Sequence, residues 1–320
     1  MSRLLAYALI LILAGATVLL GIKVLSQGGD DIAQVPEPDR TTPDRTTPDR
    51  TMPTRPPATP HLVRQLVDPS KHLEEQIEAV RGLPDDLTAE EFAALIAILH
   101  QPAPPKADPG RWYALQNEIM EVLRQPRFTW EGYSGALADL VADRNADPVM
   151  RDYAAQHLAL YLGDRADQLP EEDSSAALDS LLGVLRGSRE SHEMVSGTTL
   201  MALCDLNTRR PELLEEHRST LGPAILALVT GERSASMSNQ VAAIQAAGRM
   251  GFPETLPAIR SFASGEAPNP SVELSSIAAL GYFADPEDKA LLTELAEGDT
   301  RLRFAARSAL KNYDKFPPTH

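Results

Sequence analysis

The side chains that could do chemistry in this chain are few and scattered. His192-Glu193 is its one His-Glu dipeptide, and a metal ion needs ligands converging from several directions. Cys204 is the only cysteine, so an internal disulfide, a CxxC redox pair and a four-cysteine zinc site are all excluded. It directly follows the apolar Leu203 with no basic neighbour beside it, which predicts a buried structural thiol rather than a nucleophile. His157 lies among small residues and reads as a core or interlayer side chain. The acid clusters Glu171-Glu172-Asp173 and Glu287-Asp288 fall at helix starts, where the helix dipole favours negative charge, and no EF-hand spacing accompanies them. Trp112 and Trp130 read as packing or interface anchors. No GxSxG, HExxH, Walker loop or GxGxxG occurs. The expected catalytic, metal and cofactor sites are therefore none.

The elements around these residues fall into three regimes. From Leu4 to Ile22 run 19 residues without charge, flanked by Arg3 and Lys23. Such a helix reaches about 29 Å, close to the hydrocarbon thickness of a bilayer. An uncleaved anchor over 1–27 is expected, and a signal cleaved near Ala14-Gly15-Ala16 is the alternative, giving a secreted protein. A large domain after a three-residue tail places the amino terminus in the cytoplasm and the bulk outside the membrane. Residues 28–60 hold eight prolines and a repeat of Pro-Asp-Arg-Thr-Thr beginning at Pro38. Proline locks φ and removes a donor, and no apolar residue recurs there, so a disordered, extended linker is expected. Residues 1–60 carry six basic and six acidic side chains, so the whole charge of −15 belongs to residues 61–320. A surface that acidic repels phosphate backbones and argues against nucleic acid as a partner.

From His61 to the end, the apolar spacing is helical throughout. Thr88 and Glu91 make a capping box, and Asp108, Asp147, Asn269 and Asp285 each precede a proline as candidate caps. Prolines, Pro223 among them, are expected at helix starts or between helices. One nine-residue pattern recurs: Met150-Arg151 with Ala154-Ala155 and Leu158, then Leu302-Arg303 with Ala305-Ala306 and Leu310. Val195–Leu203, Asn239–Ala247 and Val272–Leu280 keep the spacing, and Leu115–Leu123 is a fainter copy. The units end at 123, 158, 203, 247, 280 and 310, each interval long enough for two helices. The two longest intervals predict extra turns or short helices around Leu206–Leu221.

This pattern resembles the HEAT-like repeats first named from phycobilisome lyases. It is carried by Met150-Arg151, Ala154-Ala155, Leu158, the Gly163-Asp164 turn, and the steps Ala247-Gly248 and Leu280-Gly281. The resemblance is clear over about 147–313 and faint over 72–142. It departs at the arginine position, which is Ser196, Gln240 and Glu273 in three units. The resemblance implies an all-α, right-handed α-solenoid of helix pairs over 61–320, with Arg301, Arg303, Arg307 and Lys311 making a basic cap. HEAT-like hydroxylases hold iron through several His-Glu pairs on different repeats, whereas this chain has one. The lyase activity is not implied either, because the shared residues are packing residues.

The expected function is a membrane-tethered scaffold that binds a protein partner, neutral or basic, through its solenoid surface in a cell envelope. No small-molecule substrate is indicated. In this family the second helices line the concave side, which marks Glu254, Arg260, Glu287 and Glu294 as candidate partner contacts. The alternative is a HEAT-like enzyme, a lyase or helical hydrolase with a dispersed acidic site. With 16 aromatic residues in all, a hydrolase cleft lined by rings is poorly supplied.

Overall fold

The computed structural model describes residues 70–315 apart from 105–106, 187–188, 234–235 and 299, together with Val63, Leu66 and Asp68. The side chains of 189–193, and with them His192-Glu193, lie outside the described set, as do the expected span at 4–22 and the linker at 28–60. No helix among the described residues is long and apolar enough to cross a membrane.

Every regular element among the described residues is helical. Six helices carry the recurring pattern: α3 (Pro109–Leu123), α5 (Pro148–Arg165), α7 (Arg189–Arg209), α10 (Met237–Met250), α12 (Pro270–Phe283) and α14 (Arg303–Tyr313). Ahead of them stand α1 (Leu73–Arg81) and α2 (Ala89–Leu99). Between them run α4 (Tyr133–Ala142), α6 (Glu171–Arg186), α8 (Glu212–Glu215), α9 (Arg218–Val229), α11 (Leu256–Ser261) and α13 (Lys289–Glu297). The extra length between Leu203 and Ala247 is taken up by the single turn of α8, as the long interval required.

Local chemistry fixes where these helices begin. Thr88 and Glu91 close their capping box at the start of α2. Carboxylate or amide oxygens cap first-turn amides in the four expected places: Asp108 to Gly110 at 2.8 Å, Asp147 to Val149 at 2.9 Å, Asn269 to Ser271 at 3.0 Å and Asp285 to Glu287 at 3.0 Å. Each cap precedes a proline at the first helical position, where a missing N–H costs nothing. Pro223 departs from this rule. It sits inside α9, beyond the first turn, so the sequence expectation of a boundary is corrected. Gly163-Asp164 is corrected likewise, since it forms the last turn of α5 rather than the turn after it.

The pattern-bearing helices stack on one another in chain order, α3, α5, α7, α10, α12 and α14, and α1 packs on α3 ahead of them. The intervening helices pack beside this column, α4 on α5, α6 on α7, α9 on α10 and α13 on α14. The shared core is one contiguous set of buried apolar residues running from Leu66 to Tyr313. Small residues set the spacing of the column. A Cβ on Gly248 would stand 3.1 Å from Ala279 Cα, and one on Gly281 would stand 2.6 Å from Ala309 Cα. The glycine of the Leu-Gly step is thus where one column helix lies backbone to backbone against the next. Leu280 beside it has no exposed surface.

The arginine position is explained by what its side chain reaches. Arg151 is 4% exposed, and its Nε donates to the Val141 carbonyl at the end of α4, at 3.0 Å. Gln116 Nε2 donates to Ile98 O at 2.8 Å, and Gln240 Nε2 to Val229 O at 2.8 Å. In each case a second-position side chain satisfies the orphan carbonyls of the preceding helix. Glutamine does this as well as arginine, which accounts for Gln240, whereas Glu273 instead accepts from Arg301 at 2.8 Å.

Candidate functional site

Stacking a column of helices leaves part of each helix facing solvent, and the side chains there form a continuous strip. Near the C-terminal ends of α3, α5, α7 and α10 this strip is ionic. Arg124, which caps α3, donates to Glu121 at 2.7 Å and to Asp164 of α5 at 2.9 Å. Asp164 also takes Arg209 Nη1 of α7 at 2.7 Å, so one carboxylate joins three successive column units. Asp205 of α7 then takes Arg249 Nη2 of α10 at 2.8 Å. Such exposed pairs contribute at most about 1 kcal/mol each, so their effect is to hold register between units. Sequence reading missed this ladder. Part of its signal was present: Asp164 to Arg209 and Asp205 to Arg249 are 45 and 44 residues apart, matching the two longest repeat intervals, whereas Arg124 to Asp164, at 40, does not match the interval of its unit.

A shallow cleft of about 70 Å³ opens between α5 and α7, lined by Gln156, Leu160, Asp205 and Arg209 among others. Pockets that enclose a metabolite run to roughly 300 Å³ or more, so this cleft suits a few waters. Among the described residues no group of three or more His, Cys, Asp or Glu is placed to share a metal ion.

Three titratable side chains of the column are wholly or largely buried. His157 Nε2 lies 3.1 Å from Asn117 Oδ1, and its Nδ1 has no hydrogen bond, with Glu121 Oε2 3.8 Å away. Burial, with a smaller push from Arg124, drives its pKa down to about 3, so the ring stays neutral. Asp152 accepts from Thr198 on the next column helix, while its Oδ1 has no partner, and burial raises its carboxyl to about 6. Cys204 is buried, and desolvation pushes its thiol up to about 12, which makes it inert at neutral pH. The histidine and the cysteine therefore sit as the sequence indicated, in the packing. Trp112 does too, with its indole N–H on Gln101 O at 3.0 Å, and Trp130 stacks on Phe92 at 4.6 Å.

The four candidate contact residues are all on or beside the intervening helices, and two of them meet. Arg260 of α11 pairs with Asp285 at 3.0 Å, Glu287 at 3.2 Å and Asp288 at 2.7 Å. Asp288 is 4% exposed as a side chain, and burial raises its carboxyl against the opposing pull of Arg260. Arg260 thus ties α11 to the start of α13. Glu287 shares that cluster but is exposed, while Glu254 and Glu294 are exposed outside it. The Glu254 carboxylate lies where a side chain on Gly222 of α9 would stand. Asp285 and Asp288 were legible as helix-start acids, but their pairing with Arg260 was not, because a partner on another helix leaves no local pattern.

Residues 223–311, from within α9 to within α14, match the family model for HEAT repeats. No curated protein matches the chain.

Proposed function

We propose, from the HEAT-repeat match over residues 223–311 and the stacked helices around it, that this chain is a scaffold binding a protein partner along a right-handed solenoid surface. The observation that carries the reading is the column itself. Six pattern-bearing helices pack one on the next in chain order, and their outward side chains differ from unit to unit. A surface extended in this way suits a long polypeptide contact. The Glu254, Glu287 and Glu294 carboxylates are exposed on neighbouring elements, so the partner face is acidic and the partner neutral or basic. Arg260 keeps the Glu287 loop in place and takes part through it. The domain is held to a membrane by the uncharged run at 4–22 and stands off on the proline-rich linker, on the outer side of the cytoplasmic membrane.

Proximity labelling from the full-length chain in intact cells tests both parts. The expected result is neighbours outside the cytoplasmic membrane, some of them lost when Glu254, Glu287 and Glu294 are reversed to lysine. Labelling of cytoplasmic proteins alone would overturn the tethering. Neighbours that ignore the three reversals would overturn the acidic contact face.

A further inference from the structure

Among the described residues, no helix packs on the outward side of α14, the last helix of the column. In the stacked units the third position of the repeat meets the next column helix. Asp152 bonds Thr198 there, and a Cβ on Gly197 would stand 2.8 Å from Asn239 Oδ1. In α10 and α12 the same position is Val241 and Leu274, both partly buried. In α14 it is Phe304, and it is 70% exposed. Scattered exposed apolar residues need no explanation, but this ring occupies a position that meets the next helix elsewhere. Arg307, Lys311 and Lys315 follow at one-turn spacing and are exposed as well, Arg307 while its Nε donates to Ala296 O of α13 at 3.1 Å. The basic cap expected from sequence is therefore an aromatic and basic face, more adhesive than a polar end.

Charge indicates what fits it. Over residues 301–315 there are five basic and one acidic side chains, in a chain whose net charge is −15. Over residues 70–101, at the other end of the column, there are seven acidic and two basic. Helix α1 packs on α3 and buries Gln76 and Val80, with Gln76 Nε2 donating to Leu66 O and Asp68 O of the segment ahead of it, and it exposes Glu74, Glu75 and Glu78. Glu74 and Glu78 are four residues apart, as are Arg307 and Lys311, so the two charge rows have the same pitch.

We infer that a second copy of this chain docks on α14, its acidic α1 laid across Phe304, Arg307 and Lys311 as the next layer of the column. Two α14 helices facing each other would oppose like charges, so the contact is head to tail. A head-to-tail contact joins different surfaces and extends unless its rotation closes a ring. This contact uses the ends of the column and stands apart from the partner face on the intervening helices.

The test is the mass of the full-length protein in mild detergent, by light scattering and sedimentation velocity, over a range of concentration and salt. Assembly should grow with concentration and weaken as salt screens the charge rows. Arg307→Glu with Lys311→Glu should raise the dissociation constant by about tenfold or more, as should Glu74→Lys with Glu78→Lys. All four changes in one chain should restore assembly, a result that a folding defect cannot produce. Phe304→Ser should weaken assembly without changing the helical circular dichroism. A monomer at every concentration, assembly indifferent to both reversals, or failure of the combined variant to assemble would each overturn the inference.

Discussion

Asp152 and His157 are five residues apart on α5 and make stability depend on pH in opposite senses. The Asp152 carboxyl is raised from 3.8 to about 6 in the folded chain. Between those values the folded state holds a proton that the unfolded state has released, so stability falls as pH rises, and the cost is complete above about 6. His157 is lowered from 6.5 to about 3. Below 6.5 the unfolded chain takes up a proton that the folded chain refuses, so this residue costs stability as pH falls toward 3. Asp152→Asn removes the first effect and leaves the second. The variant's melting temperature should exceed wild type at pH 7.5, by a margin that shrinks toward pH 4.5; an equal margin at both would show that Asp152 is not desolvated. Which residues on α5 would be buried followed from the repeat. Which polar atoms would be left without partners did not, because that depends on Thr198 and Asn117 from other helices.

The interhelical step rests on residues that have almost no side chain. Gly281 lies under Ala309, so adding a single methyl must push α12 and α14 apart or bend one of them. Gly281→Ala gains helix propensity, up to about 1 kcal/mol, but overpacking costs about 1–3 kcal/mol. Net destabilisation is expected in urea denaturation, against the propensity scale. Leu280→Ala, at the neighbouring fully buried position, should cost about 2–5 kcal/mol through the cavity it leaves. A melting temperature within a degree of wild type for Leu280→Ala would mean that the register is misplaced. Both positions were legible as the Leu-Gly step. The second position was legible as a pattern but not as a role, since a carbonyl 10 to 18 residues away accepts its hydrogen bond only after the two helices have packed.

At the scale of the molecule, each unit is stabilised by its neighbours, so damage at an end spreads inward. Ending the chain after Gly298 removes α14 and uncovers the α12 backbone at Gly281 and the apolar side of α13. Such a chain should melt several degrees lower, bind more of a hydrophobic dye, and fail to assemble. A melting temperature unchanged by the truncation would contradict the stacked column. The sequence by itself determined the helical class, the caps and the repeat register, because each is written in spacings shorter than one helix. It also determined that His157 and Cys204 are packing residues, since small and apolar neighbours surround them at helical spacing. Only the tertiary structure decided which charges meet. Asp164 joins Arg124 to Arg209, Arg260 gathers three acids, and Phe304 is left uncovered, because an ion pair or an exposed ring is a property of what lies across the gap. Distance along the chain carries no record of that gap until the helices are stacked.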